Sequence, residues 1–275
     1  MVTQNPARHY LSKIGLQVYT LRNELGMDLP GTLRAIRAAG YAQIELMRTL
    51  DARDFVPHAK ELGLGITSAF IDSEILTRPS VGGAAALAAH LALASELRLR
   101  YLVFGYIGKG DREKVAQMKA HAASANVYGR QCRDAGIQLC YHHHAFEFAP
   151  LEDGQTTGWE ILVSELDPRF VQFELDVFWL ALGGLDPVQT LRKLNGRVAQ
   201  VHLKDLKPNT ARVWDEHEVP ADAFQELGRG SLNLSEILRA CAETNVDQCH
   251  VEQDQSPHPL ASVATSRQHL HRLAE

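Results

Sequence analysis

The sequence predicts an α/β protein of one class, a single (β/α)8 TIM barrel. Short segments rich in β-branched and aromatic residues alternate with segments of helical periodicity, about eight times each along the 275 residues. This alternation indicates a parallel sheet with helices on its outer face, because parallel crossovers place helices there. An open doubly wound sheet would usually carry a glycine-rich phosphate loop after its first strand, but QVYTLR stands at that position. Closure into a barrel is therefore favoured.

The predicted strands are short β-rich runs that end in polar residues, and each is followed by a helical segment. In a barrel the strand ends open into loops at one face, so these polar ends lie close together. The strands are predicted at residues 14–19, 42–47, 65–71, 101–106, 138–144, 171–177, 199–204 and 248–252.

Start and stop signals delimit the predicted helices. Asp28 and Pro30 open the first, and Gly40 ends it. Asp51 opens the second, which ends near Gly63. The helices are predicted at residues 28–40, 51–63, 83–97, 111–134, 157–166, 187–194, 235–244 and 260–273.

Length and composition are those of an ordinary globular protein. Of the residues, 45% are hydrophobic and 22% charged, which suffices for a large core. Barrels of roughly 250 residues commonly form one unit, and no linker interrupts this chain, so we expect one domain over residues 1–275. Cys132, Cys140, Cys241 and Cys249 never stand at CxxC spacing, so we expect reduced, structural thiols.

Charge and hydropathy exclude several classes of partner. The net charge is −5, and no dense run of Lys and Arg is present that could follow a phosphate backbone, so no nucleic-acid partner is expected. The first 25 residues lack the apolar core of a signal peptide, and no apolar stretch is long enough for a membrane helix. We expect a cytoplasmic protein with no membrane partner.

Four consecutive predicted strands, the fifth to the eighth, end in potential metal ligands. Side chains two residues apart on a strand share one face, and the residues between them here are largely apolar. The polar sets therefore point into the mouth of the barrel. They are His142 with His144, Glu174 with Asp176, His202 with Lys204, and His250 with Glu252 and Asp254.

Imidazoles and carboxylates that converge from neighbouring strands form a site suited to one transition metal rather than to calcium, which prefers oxygen ligands. Manganese is the first expectation, and cobalt, zinc, iron, nickel and magnesium are alternatives. Each of these residues taken alone could also be an ordinary buried polar group with satisfied hydrogen bonds.

Five motifs, each at a predicted strand, carry a family resemblance: IGLQVYTLR, YHHHAFEF, ELDVFW, QVHLKD and VEQDQ. Together they make the sequence similar to the xylose isomerase-like TIM barrel family. That family is the sugar phosphate isomerase/epimerase group, which also includes inosose dehydratase and endonuclease IV. The resemblance covers nearly the whole chain and does not specify a substrate. Endonuclease IV chemistry is disfavoured, because its three-metal cluster uses more histidines and its DNA-binding surface is basic.

The resemblance implies that Asp176, His202 and Glu252 are metal ligands. In many members the remaining ligand is a glutamate in a Glu-Asn-His sequence. Here the triplet His142 to His144 stands instead, similar to that of inosose dehydratase, and we predict His142 as the fourth ligand. This departure weakens the case for an epimerase with two glutamate bases, because a metal-bound imidazole is a poor base.

The resemblance implies a metal-dependent sugar isomerase or epimerase that abstracts a proton next to a carbonyl. The alternative is a dehydratase or lyase that performs β-elimination on a keto-inositol or a 3-keto-sugar or glycoside, which needs one base and one acid. A carbohydrate-binding barrel without catalysis is a further alternative. Glu252 is predicted as the base, and His144 and Lys204 as groups that donate a proton or orient hydroxyls. Lys204 could instead form a salt bridge to Glu174 or another carboxylate.

Residues elsewhere around the mouth are predicted to bind the small carbohydrate. Trp179 offers an aromatic wall to a sugar. Glu147 could instead orient a histidine, and Arg229, in a Gly-Arg-Gly segment, could instead lie in a solvated turn. A homo-oligomer is compatible with the resemblance, since barrels of this group often pair. The predicted substrate-binding residues are Gln17, Tyr19, Glu45, Trp179, Glu147 and Arg229.

Overall fold

The computed structural model describes residues 6–275, and it describes their side chains except at 6, 81 and 82. Eight parallel strands close into a barrel, which confirms the predicted fold class. Residues 1–5 of the predicted domain lie outside the described residues. The strands are β1 (Ile14–Gln17), β2 (Gln43–Leu46), β3 (Gly65–Ile71), β4 (Tyr101–Phe104), β5 (Gln138–His142), β6 (Val171–Asp176), β7 (Val198–Leu203), β8 (Asp205–Leu206), β9 (Phe224–Gln225) and β10 (Gln248–Val251).

The barrel follows the order β1, β10, β7, β6, β5, β4, β3 and β2. Each barrel strand therefore lies beside the barrel strand that precedes or follows it in the sequence, and β1 closes the barrel against β10. The two short strands β8 and β9 form a separate antiparallel pair after β7. Register places Asp176 opposite His202, and His202 opposite His250. The ends of β6, β7 and β10 therefore lie side by side.

Helices surround the barrel, and all eight predicted helices are present. Four short helices, α1, α2, α5 and α9, were not predicted, because four to six residues are too few to show a helical period. The helices are α1 (Pro6–Tyr10), α2 (Arg22–Met27), α3 (Leu29–Ala38), α4 (Ala52–Leu62), α5 (Glu74–Thr77), α6 (Ala84–Leu97), α7 (Val115–Asp134), α8 (Gly158–Glu165), α9 (Val177–Leu182), α10 (Pro187–Lys193), α11 (Leu234–Glu243) and α12 (Pro259–Ala274).

The helix boundaries follow the capping chemistry of the sequence. The Asp28 side chain accepts a hydrogen bond from the Gly31 N–H at 2.9 Å and caps α3, as predicted. Gly63 ends α4 in the left-handed region at φ 64°, where a glycine costs least. The connection after the sixth strand differs from the prediction, because β6 ends at Asp176 and α9 begins immediately after it.

The hydrophobic core lies between the barrel and the helices. Tyr141, Leu175, Leu203 and Val251, which separate the polar positions at the strand ends, pack into this core as predicted. The four cysteines are buried and free. No helix among residues 6–275 is long and apolar enough to cross a membrane.

Candidate active site

The four predicted metal ligands converge at the C-terminal ends of the strands. Donor atoms of His142, Asp176 and His202 lie within 4.8 Å of one another, and all three residues are buried. Glu252 follows directly on β10, and its Oε2 lies 2.8 Å from His202 Nδ1. Four predicted ligands, from β5, β6, β7 and the residue after β10, are thus brought to one place.

Unsatisfied polar atoms show that this cluster fits a cation. Asp176 Oδ1 accepts hydrogen bonds from the N–H groups of Phe178 and Trp179 at 2.9 and 3.0 Å, and so caps α9. Asp176 Oδ2 and His142 Nδ1 are buried and make no hydrogen bond within the described residues. Buried polar atoms without partners are rare unless an ion or a water completes them. Two imidazoles and two carboxylates are a ligand set for a divalent transition metal.

His202 is held from both sides by carboxylates. Its Nδ1 faces Glu252, and its Nε2 lies 2.6 Å from Glu45 Oε2. Glu45 also accepts hydrogen bonds from Gln17 Nε2 at 2.9 Å and from Ser68 Oγ at 2.5 Å. A carboxylate on the far nitrogen of a ligating histidine fixes the orientation of the ring.

This arrangement corrects the prediction for Glu45. Glu45 is 0% exposed and lies beneath the site, so it contacts His202 and not the cavity. Its pKa is lowered to about 2: burial would raise the value, but His250 and His202 outweigh that effect. Glu45 is therefore an ionised positioning residue rather than part of the wall that binds the carbohydrate.

Charges in the cluster balance each other. Burial would lower the pKa of His202, but the carboxylates of Glu174, Glu252 and Glu45 raise it well above its usual value. Burial would raise the pKa of Glu252, but Lys204 and His202 lower it well below its usual value. Glu252 is consequently ionised, and His202 carries a proton that it must lose to bind a metal.

Lys204 lies among carboxylates. This is the predicted alternative in which Lys204 forms a salt bridge, but its partners are carboxylates other than Glu174. Its Nζ is 3.1 Å from Asp176 Oδ2, 2.8 Å from Glu252 Oε2 and 2.5 Å from Asp254 Oδ1. The ammonium also lies 5.4 Å from the centre of the Trp179 ring. Lys204 therefore neutralises the acids around Glu252 and still borders the cavity.

The histidine triplet divides its side chains between two faces. His142 and His144 line the cavity, whereas His143 points away and accepts a hydrogen bond from the Asp176 N–H at 3.1 Å. Burial, followed by the charge of Lys204, lowers the pKa of His144 well below its usual value, so its ring is neutral. His144 lies beside Trp179, with 5.2 Å between ring centres. The predicted alternation is therefore present in this strand.

A cavity of about 910 Å³ opens above the cluster. Trp179 Nε1 is buried without a hydrogen-bond partner among the described residues, so the indole N–H is available to a ligand. Most of the predicted site residues line this cavity, namely Gln17, Tyr19, His142, His144, Trp179, Lys204 and Glu252.

Glu147 and Arg229 do not line the cavity. Glu147 is buried and accepts hydrogen bonds from Tyr141 Oη at 3.0 Å and from the His144 N–H at 2.8 Å. Burial raises the pKa of Glu147 to about 8. The structure thus favours the alternative in which Glu147 orients the histidine segment, and its prediction as a substrate-binding residue is corrected.

The Arg229 side chain is 61% exposed and lies 3.4 Å from Glu226. The flanking glycines serve a different purpose, because the N–H groups of Gly228 and Gly230 donate to Asp205 Oδ2 at 2.9 and 3.0 Å. A Cβ at Gly230 would lie 2.2 Å from Asp205 Oδ1, so only glycine fits there. Arg229 therefore lies in a solvated turn, and its predicted role in substrate binding is corrected.

Sequence reasoning missed the upper wall of the cavity. Tyr106 and Glu216 line it, and the Tyr106 hydroxyl donates to Glu216 Oε1 at 2.6 Å. Arg112 forms a buried ion pair with Glu216 at 2.8 Å. Tyr106 stood at the end of a predicted strand, which was a usable signal. The segment 207–223 is irregular apart from short turns, and nothing in its sequence indicated a wall.

A second polar layer lies beneath the predicted ligands. Glu45, Glu174, His202 and His250 have donor atoms within 4.8 Å of one another. Both oxygens of Glu174 and both nitrogens of His250 are buried without hydrogen-bond partners among the described residues. Burial, followed by the neighbouring Glu45, raises the pKa of Glu174 to about 8.

Comparison with known proteins identifies the relatives of this chain. The model of the family described as "Xylose isomerase-like TIM barrel" matches residues 33–273. An inosose dehydratase of Clostridium tetani is 25% identical, over 83% of this chain and 80% of that protein. An inosose dehydratase of Clostridium botulinum is 32% identical over 56% of this chain and 53% of that protein. A sugar phosphate isomerase/epimerase structure from Parabacteroides distasonis has a TM-score of 0.77 at 22% identity, covering 96% and 94% of the two chains.

Proposed function

Because the chain belongs to the xylose isomerase-like TIM barrel family, we propose that it is a carbohydrate enzyme that abstracts a proton next to a carbonyl. Return of a proton to the neighbouring carbon gives an isomerised sugar, and its return to the opposite face of the same carbon gives an epimerised sugar. One observation carries the proposal: the ionised carboxylate of Glu252 borders a cavity of about 910 Å³ and lies 2.8 Å from His202, within a cluster of metal-binding residues.

The residues that would hold one divalent ion are His142, Asp176, His202 and Glu252. Two buried atoms support this assignment: His142 Nδ1 makes no hydrogen bond among the described residues, and Asp176 Oδ2 has an ion pair with Lys204 at 3.1 Å but no hydrogen bond. Manganese is the first candidate, because the set mixes imidazole and carboxylate. When bound, the ion supplies a Lewis acid that stabilises negative charge on a carbonyl oxygen and on a neighbouring hydroxyl.

The protein side chains perform the proton transfers. A Glu252 oxygen takes the proton from the carbon next to the carbonyl, since this carboxylate borders the cavity. Lys204, 2.8 Å from Glu252 Oε2, balances the charge of the carboxylate and can donate to a substrate oxygen. His144 is neutral, so it can donate a hydrogen bond to a sugar hydroxyl or accept one from it. The Trp179 ring packs against the apolar C–H face of the sugar.

A dehydratase or lyase is the second candidate. The observation that favours it is His142 on β5, where many family members have a glutamate, because an imidazole that binds metal is a poor base. A β-elimination on a keto-inositol or 3-keto-sugar needs only Glu252 as base and a donor, Lys204 or His144, for the leaving oxygen. The name of the 25% identical relative, inosose dehydratase, agrees with this alternative.

Product analysis with metal-stripped and manganese-loaded protein tests the proposal. The substrates are a panel of ketoses, keto-inositols and 3-keto-glycosides, and the products are followed by NMR and mass spectrometry. We expect turnover only in the loaded protein. An unchanged product mass identifies isomerisation or epimerisation, and loss of water or of an aglycone identifies the lyase. Equal turnover after removal of all divalent metal would contradict the metal site.

A further inference from the structure

The cavity extends well above the predicted ligands because two loops raise its wall. The loop 105–114 follows β4, and the segment 207–223 follows β8. Lys109 Nζ lies 3.1 Å from Asp215 Oδ2. The Arg112–Glu216 ion pair at 2.8 Å is almost wholly buried, and the Arg112 guanidinium lies 3.6 Å from the centre of the Phe146 ring. These contacts fix the wall, so the upper cavity is a built feature.

The cavity lining lacks the free positive charge that would bind an anionic substrate. Besides histidines, Lys204 is the one cationic side chain among the described residues that line the cavity, and three carboxylates surround its ammonium. Recognition of a phosphate or carboxylate normally uses Arg, Lys or free N–H groups at a helix start. The N–H groups at the start of α9 are already bound to Asp176. Asp72 adds a further carboxylate to the lining, and the carboxylate of Glu216 is already paired with Arg112.

The upper cavity presents aromatic and apolar surface. Tyr19 and Tyr106 are 40% and 39% exposed, and both line the cavity. Arg22 covers one face of the Tyr19 ring at 4.2 Å and supports it. Glu216 fixes the Tyr106 hydroxyl at 2.6 Å. Supported aromatic rings with accessible surface pack well against the C–H faces of sugars.

We propose that the substrate is an uncharged carbohydrate of two rings, a keto-glycoside. Its reacting ring lies beside Glu252, and its second ring lies in the upper cavity against Tyr19 and Tyr106. This inference rests on the proposed function and specifies its substrate class. The volume of about 910 Å³ is near the top of the range of roughly 300–1,000 Å³ that is typical of small-molecule pockets, so it leaves room for a second ring.

Solvent-proton exchange with manganese-loaded protein tests this inference. The single-ring compounds are a keto-inositol and 3-keto-glucose, the two-ring compound is the 3-keto derivative of cellobiose, and the anion is 3-keto-glucose 6-phosphate. We expect kcat/KM for the two-ring compound to exceed that of the single-ring compounds about tenfold or more, since only the two-ring compound can pack a second ring against Tyr19 and Tyr106. The phosphate should exchange more slowly than 3-keto-glucose.

Tyr19→Ala separates the upper subsite from the chemistry. We expect KM for the two-ring compound to rise about tenfold, and KM for the single-ring compounds to rise much less. Trp214→Ala is the matched control, because Trp214 lies in the wall segment and is 37% exposed but does not line the cavity. It should leave every KM unchanged.

Equal kcat/KM for one-ring and two-ring compounds, no effect of Tyr19→Ala, or a preference for the phosphate would each overturn the inference. In those cases exchange on the single-ring compounds leaves the proposed function standing. Absence of exchange with every compound would refute the proposed function and the inference together.

Discussion

Two layers of charged side chains lie inside the barrel, and they differ in what can reach them. The upper layer, formed by His142, Asp176 and Glu252, lies at the strand ends beneath the cavity. The lower layer, formed by Glu45, Glu174 and His250, is 0% exposed and closed off from it. His202 joins the layers, with Nδ1 facing Glu252 and Nε2 facing Glu45.

The comparison separates residues that can act on a substrate from residues that hold other side chains in place. The same residue types occur in both layers, so residue type alone does not identify a catalytic group. Only the upper layer contains residues that line the cavity, namely His142 and Glu252. The lower layer orients His202 through Glu45 and supplies the carboxylates that keep that histidine protonated in the absence of metal. Changes in the two layers should therefore have different signatures, which can be measured.

The largest effect is expected for Glu252→Gln. Loss of the base should reduce turnover by about 10²- to 10⁴-fold, which is the usual contribution of general base catalysis. Glu236→Gln, an exposed residue of α11, is the matched control and should retain full activity. Steady-state kinetics with circular dichroism to verify folding provide the measurement, and substantial residual turnover in Glu252→Gln would remove this residue from the mechanism.

Asp176→Asn and Glu174→Gln form a pair on one strand that distinguishes the layers directly. Asp176→Asn should lose bound manganese, because it removes a ligand that faces the cluster. Glu174→Gln should keep the ion, because its carboxyl lies in the closed layer, where burial raises its pKa to about 8. Metal content per chain after dialysis is the readout. Loss of the ion in Glu174→Gln with retention in Asp176→Asn would invert the assignment of the layers.

Glu45→Gln should have an intermediate effect. It keeps the shape of the side chain but removes the charge that orients His202, and the loss of such a supporting group typically lowers metal affinity about 10- to 100-fold. Titration with manganese followed by electron paramagnetic resonance measures the dissociation constant. An affinity equal to that of the wild type would show that Glu45 does not position His202.

Metal affinity should depend on pH through His202. Its pKa lies well above the usual value, so the metal-free protein holds this proton at neutral pH and must release it on binding. The affinity should therefore rise about tenfold for each unit of increase in pH below that pKa, and one proton should leave per ion. Calorimetry in two buffers of different ionisation enthalpy counts the protons. An affinity independent of pH would mean that His202 is already neutral.

The smallest effect is expected for Arg229→Ala. Its side chain is exposed and pairs only with Glu226 among the described residues, so kcat and KM should stay within about twofold of the wild type. A tenfold rise in KM for any carbohydrate would restore Arg229 to the substrate-binding surface.

Much of the barrel was predictable because its elements follow period and capping rules. Residues two apart on a strand share a face, which correctly placed His142 with His144 and set apart His143. The same rule does not predict how far a side chain lies below the mouth of the barrel. Glu174 and Asp176 share a face, yet one lies in the closed layer and the other beneath the cavity.

The predictions that differ from the structure fail because contacts between distant segments decide the position of these residues. Glu45 stood at a strand end like a ligand, but the register of β1, β2 and β3 surrounds it with Gln17 and Ser68 and leaves no path to the cavity. Arg229 was predicted to bind the substrate, but the N–H groups of its neighbouring glycines donate hydrogen bonds to Asp205. The wall segment 207–223 depends on long-range pairing with Arg112, which no local pattern reveals.

The most direct test of the central claim is incorporation of deuterium from deuterated water into a carbonyl sugar, followed by NMR. Manganese-loaded wild-type protein should exchange the proton next to the carbonyl, and Glu252→Gln loaded to the same metal content should not. Exchange at equal rates in the two proteins would contradict the claim that Glu252 at the barrel mouth takes this proton.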